Sequence, residues 1–119
     1  IDRLMTRFQV PGYIGCFPAD RIPPLQPDQC CIFNNQTADQ GGEHWVALYK
    51  TKQDRFIYDS FGRSKESYLP LNLVVRFKGA SDSDKKPEQN ILQVNCGSRC
   101  ISYLVCCNMF GPEVVSRYI

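Results

Sequence analysis

The chain has 119 residues, 43% hydrophobic and 22% charged, which suits one globular domain with a modest core and excludes a collagenous, coiled or wholly disordered chain. A formal net charge of +2 is too small to argue for nucleic acid as a partner, and no apolar run approaches the ~20 residues of a membrane-spanning helix. The opening "IDRLMTRF" has neither a signal-peptide core nor an initiator methionine, as expected of a processed or trimmed chain.

The segment through "CFPADRIPPLQPDQ" is rich in proline and aspartate and reads as loop with short turns. "CCIFNN", Cys30 to Asn35, is a short apolar run closed by turn formers, a buried strand. After the loop "QTADQGG", where Gly41 and Gly42 turn the chain, "HWVALYK" is the next strand. "TKQD" is its polar tip, and "RFIYDSFG" the antiparallel return. "NLVVRF" beyond Pro70 fits strand or helix, and "KGASDSDKKPEQN" reads as a mobile surface loop.

Cys96 to Phe110 is the clearest helix, with Asn95 as N-cap and Gly111-Pro112 as stop signal. Apolar residues and cysteines occupy most of its circumference, the mark of a buried helix. Pro112 then opens a terminal helix, "PEVVSRY". The expected fold is α+β: one domain over 1–119, with a small, mostly antiparallel sheet packed on a central buried helix.

Seven cysteines cannot all pair within one chain. Cys30-Cys31 and Cys106-Cys107 are adjacent, and the single histidine leaves no zinc set with two C-x-x-C hooks. Most, including Cys16, read as buried free thiols, so no metal or cofactor is expected and a reducing compartment is. A redox or metal protein built on these cysteines is a rival class, separable by zinc analysis and a thiol count.

One thiol stands apart. Cys96 falls in the first turn of the predicted helix, where the dipole and free N–H groups favour a thiolate, and Gly97 leaves room for substrate. A cysteine protease also needs an imidazole base, a group to orient it and donors for an oxyanion. A lone strand histidine is ordinarily structural, but His44 has candidate companions. If "TKQD" is a four-residue loop, Lys50 pairs with Arg55 and Asp59 stands opposite Val46. Asp59 is then a diagonal neighbour of His44, at roughly 7–8 Å between backbones; a slip of one residue would separate them onto opposite faces. Gln89, on the loop entering the helix, offers a side-chain amide beside the Cys96 N–H.

Several motifs, "GCFPAD", "CCIFNN", "GGEHWVALY", "FIYDSFGR" and "CGSRCISYL", together resemble the adenovirus-type (adenain-like) cysteine proteases of DNA viruses and virus-derived transposons. They are more distantly similar to the ubiquitin-like-modifier proteases of the same clan. The resemblance implies His44 as base, Asp59 as orienting acid, Cys96 as nucleophile at the helix N-terminus and Gln89 for the oxyanion hole. It also suggests Trp45 as a cleft-lining residue, although a strand tryptophan more often belongs to a core. Gln93 and Cys100 have the same spacing as Gln89 and Cys96. Cys96 is preferred because glycine follows it, it opens the helix, and "CxxxCIxYL" keeps Cys100 as a packing residue.

The function so implied is a thiol endopeptidase cleaving viral capsid or core precursors at Gly-containing sites during virion maturation. Its partner is a polypeptide substrate, and its place the host nucleus or cytoplasm, or the virion. The alternatives are a modifier isopeptidase of the same clan and an inactive binding or scaffold relative.

Overall fold

In the computed structural model, residues 10–37, 39, 44–82 and 96–118 are described, the side chains of Cys96 and Tyr118 excepted. The fold is α+β. Strands β1 (Tyr13–Phe17), β2 (Cys30–Asn34), β3 (Trp45–Lys50), β4 (Arg55–Tyr58) and β5 (Ser81–Asp82) form one sheet in the order β1-β2-β3-β4-β5. A 3-10 turn at Lys65–Ser67 and helix α1 (Leu71–Arg76) lie between β4 and β5; helices α2 (Cys96–Phe110) and α3 (Pro112–Tyr118) follow.

The sheet is mixed rather than mostly antiparallel. The two inner ladders, β2–β3 and β3–β4, are antiparallel, whereas the outer pairs β1–β2 and β4–β5 are parallel. Both outer strands come from segments without a strand's pattern. β1 lies in the stretch read as loop, held on β2 with an irregular register between Tyr13 and Cys16. β5 is two residues of the polar "KGASDSDKKPEQN" stretch, and residues 83–90, the rest of that expected loop, lie outside the described residues, as do 91–95. In such places tertiary pairing outweighs local preference.

The inner hairpin follows the predicted register. Lys50 faces Arg55 and Ala47 faces Tyr58, so one further step sets Val46 across from Asp59. The "TKQD" tip is closed by Thr51, whose Oγ1 accepts from the Asp54 N–H at 3.0 Å and whose N–H donates to Asp54 O at 2.8 Å.

Side-chain alternation divides the core between the sheet's two faces. On one face Ile32, Ala47, Tyr49, Phe56 and Tyr58 pack with Cys100, Ile101, Tyr103, Leu104 and Cys107 of α2 and Val115 of α3. On the other, Phe33, Val46, Leu48 and Ile57 pack with Ala19, Ile22, Leu69, Leu73 and Phe77. Both faces are covered, so β2 is buried at every position and reads as a continuous apolar run.

Helix α2 has the predicted bounds but is not buried all round. It lies against β3, β2 and α3, while Ser98, Ser102, Asn108, Met109 and Phe110 are exposed. Ser98, Ser102 and Met109 recur at helical spacing and mark the solvent stripe; counting every cysteine as core obscured it. The helix stops at Gly111, whose φ of +88° is the left-handed conformation of a C-terminal cap and whose N–H donates to Cys107 O at 2.9 Å. Asn95 lies outside the described residues. No helix among the described residues is long and apolar enough to cross a membrane.

Candidate functional site

His44 sits immediately before β3 and is only 4% exposed. Its carbonyl accepts a hydrogen bond from the Asn35 N–H at 3.1 Å, continuing the β2–β3 pairing past the strand end. Asp59 follows β4 and is 2% exposed. Nε2 of His44 is hydrogen-bonded to Oδ1 of Asp59, so the diagonal approach expected from the hairpin is present and the two side chains meet. Burying a carboxylate and an imidazole costs several kcal/mol unless each finds a partner; here each has one.

The turn after β4 completes the carboxylate's surroundings. Gly62, at φ +69°, lets the chain double back, and its N–H donates to Asp59 O at 2.9 Å. Arg63 then lies beside the carboxylate: its backbone N–H and Nε donate to Oδ2 at 3.0 and 2.8 Å, and its terminal Nη2 reaches Oδ1 at 3.4 Å. Burial by itself would raise the Asp59 pKa. The hydrogen bonds and positive charge offered by His44 and Arg63 outweigh it and hold the group at about 2.

Two aromatic rings brace the imidazole. Phe61 stacks on it at 5.0 Å between centroids and 30° between planes, and Tyr68 meets it edge-on at 6.2 Å. Tyr68 is tied to the β2 end through its carbonyl, which accepts from Asn35 Nδ2 at 3.4 Å. Its hydroxyl is buried without a hydrogen-bond partner, and burial, before the nearby Asp59 charge, pushes its pKa up. Arg63, Phe61 and Tyr68 were not singled out in the sequence as site residues. The signal for Arg63 was a cation four residues after the acid; for Tyr68, beyond the strand motif, there was none.

The remaining expected parts divide. Cys96 begins α2, but its side chain lies outside the described atoms; Gln89 and Gln93, like Gly41 and Gly42, lie outside the described residues. Cys100, one turn along, is fully buried and its Sγ donates to Trp45 O at 3.4 Å. Trp45 itself is half-buried and packs against the α2 side of the core. Cys30, Cys31 and Cys107 are packing residues: burial pushes the Cys30 and Cys107 thiols up to about 12 and raises Cys31 further, so none supplies a thiolate near neutral pH. Cys16 and Cys106 are half-buried. Among the described residues no group of three or more His, Cys, Asp or Glu could hold a metal ion.

No protein-family model matches the chain, and no curated protein matches it. The likeness to adenovirus-type proteases rests on the short motifs quoted above.

Proposed function

We propose that this chain is a cysteine endopeptidase in which His44 is the base, Asp59 its orienting acid and Cys96 the nucleophile. The observation that carries the reading is the buried His44–Asp59 pair at the head of β3, the strand along which α2 packs. The Cys100 thiol, in contact with the carbonyl next to His44, fixes which part of the helix runs past this point. Cys96 stands four residues earlier, about 6 Å nearer the helix N-terminus. Cys100 is committed to a backbone carbonyl in the core, which favours Cys96 as the reactive thiol.

With Nε2 turned to Asp59, the other ring nitrogen, Nδ1, is the one that accepts the Cys96 thiol proton. The thiolate attacks the peptide carbonyl carbon, and the resulting oxyanion takes hydrogen bonds from the Cys96 N–H and the Gln89 amide. The imidazolium protonates the departing amine as the C–N bond breaks. Water, deprotonated by His44, then attacks the thioester and releases the carboxylic acid and the free thiol. The motif resemblance suggests viral capsid or core precursors, cut at Gly-containing sites, as substrates. A narrow cleft would suit that preference, because side chains beside the scissile bond would clash in one.

Incubation with Gly-containing peptides from such precursors tests this. Wild type should cleave them and react with a thiol-directed probe; Cys96→Ala and His44→Ala should each lose both activities, and Cys100→Ala should keep them. Activity surviving in Cys96→Ala but lost in Cys100→Ala would move the nucleophile one turn along. Cleavage of modifier conjugates alone would favour the isopeptidase.

A further inference from the structure

Arg63 touches the Asp59 carboxylate and both rings that pack on the imidazole. It reaches both oxygens of Asp59 through side-chain nitrogens, at 2.8 and 3.4 Å, and one of them again through its backbone N–H, at 3.0 Å. Its guanidinium carbon lies 4.9 Å from the Phe61 ring centroid and 4.8 Å from that of Tyr68, the two rings that pack on His44. Cation and imidazole thus share the same two walls and the same carboxylate.

We propose that Arg63 is the positioning residue of this site: it locks the Asp59 carboxylate in the rotation that presents Oδ1 to His44 and keeps it ionised whatever the charge on the ring. This rests on the protease reading above. An aspartate held only by the imidazole could rotate about its Cβ–Cγ bond. With Oδ2 held by two donors of Arg63, rotation breaks those bonds before it frees His44. The task suits arginine, whose planar fork can lie flat between aromatic rings while donating from separate nitrogens; a lysine ammonium offers a point charge and no plane. The charged and titratable side chains around Asp59 are His44 from the head of β3, Arg63 from the turn after β4 and Tyr68 from beyond the 3-10 turn. Of these Arg63 alone is positive at every working pH. It also stands 38% exposed, so its replacement leaves no sealed cavity.

Arg63→Gln and Arg63→Lys, compared with wild type by steady-state kinetics and by carbon NMR of the Asp59 carboxyl, separate positioning from simple bracing. Arg63→Gln should lower kcat about tenfold with little change in KM. It should also move the Asp59 titration upward by about one pH unit, because a cation and two hydrogen bonds are gone. Arg63→Lys should keep the carboxyl ionised yet recover only part of kcat. Unchanged kcat and unchanged Asp59 titration in Arg63→Gln would overturn the proposal, even if melting temperature fell. If Arg63→Gln does not fold, wild-type kcat in Arg63→Lys overturns it instead. If wild type shows no turnover, the protease reading fails on its own. The Asp59 titration, with the ring N–H resonance of the only histidine, then decides the role of Arg63: both unchanged in Arg63→Gln refutes it.

Discussion

His44 and Asp59 show how far a residue pattern can carry a geometric argument. Their meeting was legible because a hairpin with a four-residue tip has a countable register, and the side-chain period of two decides the face. Arg63 was less legible: its approach depends on the backbone reversal at Gly62 and on two rings brought from either side of it. Asp59→Asn should lower kcat about 10²-fold or more, measured on the same peptides, by weakening the hold on the productive ring tautomer. Asp59 also gives a signed pH dependence. Its folded-state pKa is lowered from 3.8 to about 2, so the unfolded chain binds more protons between those values and stability rises with pH there. The contribution is complete above roughly pH 5 and disappears as pH falls through about 2. Allowing for screening at the half-exposed guanidinium, it amounts to about 1–2 kcal/mol. Denaturant titrations at about pH 5 and pH 3 should show part of this loss in wild type and less in Asp59→Asn; equal losses in both would refute it.

The elements legible in advance were those whose local chemistry and tertiary role agree. β2, β3 and β4 are apolar runs covered on both faces, and α2 and α3 are punctuated by Gly111 and Pro112. β1 and β5 were not legible, because their partners rather than their composition make them strands. The α2–α3 junction supplies a prediction free of packing effects. A Cβ added at Gly111 would meet only Glu113 Oε2, at 3.6 Å, so Gly111→Ala should cost about 1–2 kcal/mol, purely from the left-handed backbone. Chemical denaturation measures it, and a cost near zero would mean the cap rearranges. Deeper between the same helices, the Tyr103 hydroxyl and Ser116 Oγ are hydrogen-bonded at 2.5 Å, both residues buried. Tyr103→Phe should cost about 1–3 kcal/mol by leaving the serine hydroxyl without this partner, while the stack of ring 103 on Tyr58 at 4.5 Å survives.

At the scale of the molecule, a mixed sheet clothed on both faces carries the buried His44–Asp59 pair at one strand end, the head of β3, where Cys100 of α2 also reaches the Trp45 carbonyl. Most of the thiols belong to the core: Cys30 and Cys31 of β2 and Cys100 and Cys107 of α2 are buried. A thiol count by a chromogenic disulfide should therefore rise about twofold when denaturant is added; full reaction in the folded state would contradict that packing. If His44 activates Cys96, as proposed, alkylation of that one cysteine will report it. The rate at which iodoacetamide modifies Cys96, followed by mass spectrometry across pH 5 to 9 in wild type and His44→Ala, should show a fast reaction already present below pH 7. In the variant that reaction should fall by about 10²-fold. Equal rates in both proteins, each rising only as an ordinary thiol ionises, would contradict the account.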